Sequence, residues 1–123
     1  MRIAVTAQGV DLDSAMDPRF GRCRNFIIVD PESDKFDAFS NESVTASGGA
    51  GTQSAQFLAN QGVDAVVTGN IGPNASRALE AAGIKVYTMA GGTVRDAFQA
   101  YRAGKLSTVT GATVDSHHGM GRR

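Results

Sequence analysis

An alternation of strand-like and helical segments in the second half of the chain limits the fold more than any other feature of the sequence. Two short apolar segments, 64–68 and 84–87, each stand between stretches with helical spacing, and the unit repeats after about 21 residues. Parallel strands joined by right-handed helical crossovers produce this pattern. The second half therefore predicts a protein of the α/β class.

Three segments have the apolar spacing of a helix that packs on a core. The first begins near Thr52. The second begins at Pro73, a residue that suits the first helical turn because no hydrogen bond is lost there. The third begins at Thr93, which has the spacing of a capping box with Asp96. We expect three helices that flank the sheet.

The first half contains three further strand-like segments, 3–7, 26–29 and 35–39. Turn-forming residues separate the last two, so these segments predict an antiparallel hairpin. We expect a five-stranded mixed sheet with helices on both faces. A fully parallel, flavodoxin-like sheet is the alternative, but it requires a helix between the first two strands, and residues 10–24 have no helical spacing.

Length, charge and cysteine content restrict the class of protein further. The chain has 123 residues, with 12 basic and 12 acidic side chains and one cysteine. This length predicts one domain, which we assign to residues 1–106, followed by a flexible tail at 107–123. Zero net charge argues against nucleic-acid binding, and no apolar run approaches the roughly 20 residues of a membrane span. The start lacks a secretory signal, so we expect a cytoplasmic protein. We further expect a monomer without membrane or nucleic-acid partners.

The predicted strand directions bring four loops to the carboxyl edge of the sheet, where open α/β sheets bind ligands. Three of these loops contain glycine and lead into a helix: 48–52, 70–74 and 91–93. Helix N-termini present backbone N–H groups and the positive end of a dipole. One such loop is ordinary turn chemistry, but three together predict a site for an anionic ligand.

The segment around Cys23 predicts a second kind of chemistry. Arg19, Arg22 and Arg24 are its near neighbours in sequence, and neighbouring cations favour the thiolate, the form that binds metals. Further imidazole and thioether ligands in the tail are His117, His118 and Met120. The alternative for Cys23 is a small residue that begins a strand. The alternative for the tail residues is a solvated chain terminus with no binding role.

The sequence gives little support for catalysis. Its two histidines are adjacent and lie in the tail. The chain contains no G-x-S-x-G elbow, no G-x-x-x-x-G-K-[ST] phosphate loop and no G-x-G-x-x-G run. We therefore expect a protein that is not an enzyme.

Four segments occur in an order that is typical of one protein family. They are Arg19-Phe20-Gly21-Arg22 before strand 26–30, Gly48-Gly49-Ala50-Gly51, residues 63–75 with Gly69-Asn70-Ile71-Gly72-Pro73-Asn74, and residues 81–87. Together they resemble the dinitrogenase iron-molybdenum cofactor biosynthesis family, the NifX-like domains, over nearly the whole chain. The resemblance implies a ribonuclease H-like fold and the binding or carriage of a metal-sulfur cluster without catalysis by the domain.

The resemblance and the loops together give one hypothesis, a carrier of an anionic cluster. The cluster or precursor would contain iron, molybdenum or both, with copper a further candidate, and would be bound transiently between donor and acceptor proteins. The expected binding residues are Arg19, Arg22, Cys23, Gly48, Gly49, Gly51, Thr52, Gly69, Asn70, Gly72 and Asn74, and the expected metal ligands are Cys23, His117, His118 and Met120. Some relatives carry cysteine or histidine where this chain has Ser47-Gly48-Gly49, so ligation from that loop is not expected. The alternative is a regulatory or interaction module that binds a small anionic metabolite.

Overall fold

The strand and helix boundaries follow the sequence pattern closely. A computed structural model describes residues 1–41 and 49–109. In chain order the elements are β1 Ile3–Ala7, β2 Asn25–Val29, β3 Phe36–Ser40, α1 Ala50–Asn60, β4 Ala65–Thr68, α2 Pro73–Ala81, β5 Lys85–Thr88, α3 Val94–Arg102 and β6 Thr108–Val109. The three expected helices and all five expected strands are confirmed, and residues 10–24 form a loop without a helix.

The six strands form one mixed sheet in the order β3-β2-β1-β4-β5-β6. Strands β1, β4 and β5 are parallel, whereas β2 is antiparallel to both β1 and β3. The mixed sheet is therefore confirmed, and the parallel alternative is wrong. The label ribonuclease H-like stays a prediction from the resemblance.

The expected strand count of five is wrong. Thr108–Val109, at the start of the segment expected to be a flexible tail, pairs antiparallel with β5 as β6. Two residues are too few to show the alternation by which a strand is recognised in a sequence. The neighbouring strand, and not the local pattern, makes this segment extended.

The core has one layer on each face of the sheet. Helices α1 and α2 pack on one face through residues such as Leu58 and Leu79. Helix α3 packs on the other face, where Phe98 is fully buried. This arrangement confirms helices on both faces and explains why every residue of β1 and β4 is buried. None of the helices in the described part of the chain is long and apolar enough to cross a membrane.

Candidate functional site

The strand register places one end of five strands at a common edge. Ala7 at the end of β1 lies opposite Asn25 at the start of β2, and Asn25 lies opposite Ser40 at the end of β3. On the other side of β1, Thr68 at the end of β4 pairs with Thr88 at the end of β5. The carboxyl ends of β1, β3, β4 and β5 therefore lie at this edge, as the sequence predicts.

The loop after β1 is fixed to the start of the loop before α2. The Asn70 N–H donates to the Pro18 carbonyl at 2.7 Å, and the Phe20 N–H donates to the Asn70 carbonyl at 3.3 Å. A third bond, from the Asp17 N–H to the Thr6 carbonyl at 2.8 Å, holds the same segment on the end of β1. Arg19, the residue between these bonds, is thereby placed beside Asn70 at the edge.

The start of α1 lies against the same loop. Gly49, at the N-cap, has a left-handed φ of 72°, and no side chain of the described residues caps this helix. A Cβ atom on Gly21 would lie 2.8 Å from the backbone nitrogen of Gly51, so the loop and the first turn of α1 are in direct backbone contact. A Cβ atom on Gly51 would lie 2.9 Å from the Cβ of Ala75, which brings the first turns of α1 and α2 together.

The start of α2 is the second uncapped helix end at this edge. Its N-cap is Gly72, Pro73 occupies its first turn, and none of the side chains in the described ranges caps it. The side chain of Asn74 instead accepts a hydrogen bond of 2.7 Å from the Arg77 guanidinium. The first N–H groups of a helix lack intrahelical partners. The adjacent starts of α1 and α2 therefore place backbone N–H groups and the positive ends of two dipoles close together, which are features that suit an anion.

The third expected helix start, that of α3, does not offer such donors. Thr93 and Asp96 form the predicted capping box. In addition, the Val94 N–H donates to the Ser14 carbonyl at 2.9 Å, and the Arg95 N–H donates to the carbonyl of residue 12 at 2.7 Å. The expectation that three helix starts serve an anion is therefore wrong for α3, because the chain itself satisfies these donors.

Basic side chains add positive charge around the starts of α1 and α2. The Arg19 side chain is 63% exposed, and its Nε lies 3.4 Å from the Asp17 carboxylate. Arg22 and Arg77 are exposed as well, on the loop and on α2. Arg95, by contrast, forms an ion pair of 3.1 Å with Asp13 on the loop that blocks α3.

Cys23 does not have the expected thiolate character. Its side chain is 0% exposed and belongs to the core layer under α1 and α2. Burial, and to a smaller extent the charge of Asp17, raises the pKa of the thiol to about 12. Arg22 and Arg24 are exposed, so solvent screens their effect on the buried sulfur. A buried neutral thiol does not suit a ligand of an incoming metal, and we leave Cys23 out of the site.

Asn41 is a structural residue of the site that the sequence analysis missed. Its Nδ2 donates to the carbonyls of Gly21 at 3.1 Å and Cys23 at 2.9 Å. Its Oδ1 accepts a bond of 3.2 Å from the Ser54 hydroxyl on α1. Asn41 thus ties the loop after β1 to α1, a role that depends on distant residues and has no local sequence signature.

Several expected site residues lie outside the described residues: Gly48, His117, His118 and Met120. Their roles stay predictions. The last described strand, β6, runs from the level of Tyr87 towards Val86, and hence away from the carboxyl edge. Within residues 1–41 and 49–109, no group of three or more His, Cys, Asp or Glu side chains could hold a metal ion.

Two cavities in the structure lie elsewhere. One, of about 360 Å³, is formed by α2, β5 and β6 and includes Glu80 and Lys85. The other, of about 700 Å³, is formed by the end of α3 and its neighbours and includes Tyr87 and Tyr101. Neither includes Arg19 or the starts of α1 and α2. The candidate site is accordingly a rim of donors at the sheet edge.

Comparison with known proteins agrees with this architecture. The apo form of the orange protein from Desulfovibrio gigas superposes with a TM-score of 0.88 and 44% identity, covering 91% of this chain and 95% of that chain. A Thermotoga protein proposed to be a NifB protein superposes with a TM-score of 0.80 and 38% identity, covering 91% and 96% of the two chains.

Sequence comparison gives the same result. An uncharacterised protein of Methanocaldococcus jannaschii is 33% identical over 97 residues, which cover 76% of this chain and 82% of that protein. Residues 1–104 match the family model described as dinitrogenase iron-molybdenum cofactor. The chain therefore belongs to the dinitrogenase iron-molybdenum cofactor family, as its sequence segments predict.

Proposed function

We propose that this protein binds an anionic metal-sulfur cluster or its precursor at the carboxyl edge of the sheet and carries it without catalysing a reaction. The observation that carries the proposal is the adjacency of two helix starts, α1 and α2, that no described side chain caps. Gly51 and Ala75 bring these starts together, and Arg19 lies beside them.

The chemistry of the donors suits a sulfide-rich anion. Backbone N–H groups and helix dipoles stabilise negative charge that is spread over several atoms, and they require no covalent bond to the metal. The exposed arginines at 19, 22 and 77 add positive charge on long side chains that can adjust to the shape of a cluster. Family membership supports a cofactor of iron and molybdenum as the class of ligand.

Carriage is proposed because the described edge offers donors and cations, whereas Cys23 is buried and protonated. A cluster held mainly by electrostatic attraction can be released without breaking metal-ligand bonds. Donor and acceptor proteins would be its partners, and we propose that this transfer takes place in the cytoplasm with the protein as a monomer.

The test is anaerobic loading of the protein with tetrathiomolybdate, with and without copper(I), and separately with iron and sulfide. After desalting, visible absorption measures the retained chromophore. We expect retention by the wild type and at least fivefold less retention by Arg19→Gln and Arg77→Gln. Arg95→Gln is the matched control, because this arginine also begins a helix but lies where the helix donors are already satisfied.

Cys23→Ser should retain as much chromophore as the wild type. Loss of colour in this variant, with its fold intact, would show that the thiol is a ligand and that the proposed mode of binding is wrong. No retention by the wild type, combined with a higher melting temperature in phosphate or nucleotide, would favour the module that binds an anionic metabolite.

A further inference from the structure

A buried carboxylate contacts Arg19, one of the residues of the proposed anion site. Asp17 is 1% exposed. Its Oδ1 accepts a hydrogen bond of 3.0 Å from the Arg19 N–H and lies 3.4 Å from the Arg19 Nε. Its Oδ2 is buried and has no hydrogen-bond partner among the residues that the structure describes. Buried charges are costly unless they are paired and hydrogen-bonded. Burial of a carboxylate with only one hydrogen-bonded oxygen is therefore unfavourable for the stability of the fold.

The position of Asp17 is fixed by the central strands of the sheet. The Thr6 hydroxyl on β1 donates to the Asp17 carbonyl, with an oxygen-oxygen distance of 2.6 Å, and lies 2.9 Å from the Thr68 hydroxyl on β4. The next residue, Pro18, packs against Gly69, where β4 leads towards α2. The backbone of Asp17 therefore lies where β1 and β4 end, and its carboxylate contacts Arg19.

The charge of Asp17 is only partly neutralised by its ion pair. Its partner, Arg19, is 63% exposed and is screened by solvent, whereas the carboxylate is enclosed in the protein. Charges interact more strongly in such an environment than in water. Burial is the main cause of the raised pKa of the Cys23 thiol, and the nearby charge of Asp17 acts in the same direction.

We propose that Asp17 is a specificity-determining residue, whose buried charge limits how much negative charge the anion site accepts. This proposal rests on the proposed function and restricts the class of clusters that the site would bind. The site would favour clusters of low total charge, or with charge dispersed over many sulfur atoms, over small anions of high charge. The same repulsion would weaken binding enough to allow release to an acceptor.

Two anions of the same shape and different charge test this inference: tetrathioperrhenate, a monoanion, and tetrathiomolybdate, a dianion. Equilibrium titration of the full chain under anaerobic conditions gives their dissociation constants. Asp17→Asn keeps the Oδ1 acceptor for the Arg19 N–H and removes the charge. Because the Coulomb energy scales with the charge of the anion, the gain in affinity for the dianion should be about the square of that for the monoanion, for example about tenfold against about threefold.

The double variant Asp17→Asn/Arg19→Gln has the same formal charge as the wild type, so its affinities should return to within about threefold of the wild-type values. Asp17→Ser, which also removes the charge, is measured beside Asp17→Asn in case one of them does not fold. Thermal unfolding identifies the folded variants.

Equal gains for the two anions, or no gain, would overturn the inference while leaving the proposed function intact. If the wild type binds neither anion and also retains no cluster from iron and sulfide, the proposed function fails. If binding then appears only in the Asp17 variants, this result would still support the inference that the charge of Asp17 weakens anion binding. Binding by none of the proteins would overturn both proposals.

Discussion

The close contact of Gly21 with α1 gives a sharp test of how the site is built. A Cβ atom at Gly21 would lie 2.8 Å from both the nitrogen and the Cα of Gly51, and 3.3 Å from the carbonyl carbon of Ala50. All three are backbone atoms, so no side chain can turn away to make room. In Gly21→Ala, either the loop after β1 or the first turn of α1 must move by roughly 0.6 Å or more to restore an ordinary contact.

Overpacking of this kind costs typically about 1–3 kcal/mol of unfolding free energy. In a domain of this size that loss lowers the melting temperature by roughly 4–12 °C. The displacement also separates the loop that carries Arg19 from the start of α1. We therefore expect Gly21→Ala to lose both stability and retention of tetrathiomolybdate.

Urea unfolding followed by circular dichroism measures the stability, and absorption after desalting measures retention. The control is Gly91→Ala, because a Cβ atom there would have nothing within 4 Å. A Gly21→Ala protein as stable as Gly91→Ala would refute the direct contact between loop and helix. Normal retention in a destabilised Gly21→Ala protein would refute the idea that this contact shapes the anion site.

Two further predictions concern buried groups of the same region. Since folding raises the pKa of Cys23 from an ordinary 9.0 to about 12, the unfolded chain loses this proton first, and the free energy of unfolding should fall from about pH 9 to pH 12. Cys23→Ala should remove that part of the fall in a series of urea titrations, and an unchanged slope would contradict the burial of the thiol. Asn41→Ala should cost about 2–3 kcal/mol, because the carbonyls of Gly21 and Cys23 lose a donor inside the protein. Asn60→Ala, at an exposed position on α1, should change stability by less than about 0.5 kcal/mol, and an equal loss in both variants would show that Asn41 is not the link.

Local patterns predicted most of the fold, since each depends on residues close together in sequence. The capping box of Thr93 and Asp96 forms as its spacing predicts. Pro73 lies in the first turn of α2. Each helix is followed, as expected, by a glycine with a positive φ. Strand directions followed from these elements and from the crossover rule, and with them the gathering of loops at one edge.

The site was predicted only in part, because charge and accessibility depend on three-dimensional neighbours. Arginines close to Cys23 in sequence suggested a thiolate, yet the sulfur faces the core and the pKa moves the other way. Asp17 resembled an ordinary polar loop residue until the contacts showed that the edge encloses its carboxylate.

The sequence alone determined the α/β class, the direction of the first five strands, and the family, because periodicity and short motifs express them locally. Tertiary structure decided that Thr108–Val109 becomes a strand and that the donors at the start of α3 bond to residues 12 and 14. It also decided the burial of Cys23 and Asp17. The physical reason is the same in each case: these features depend on hydrogen bonds and packing between residues far apart in the chain, such as those that join residues 12–14 to the start of α3.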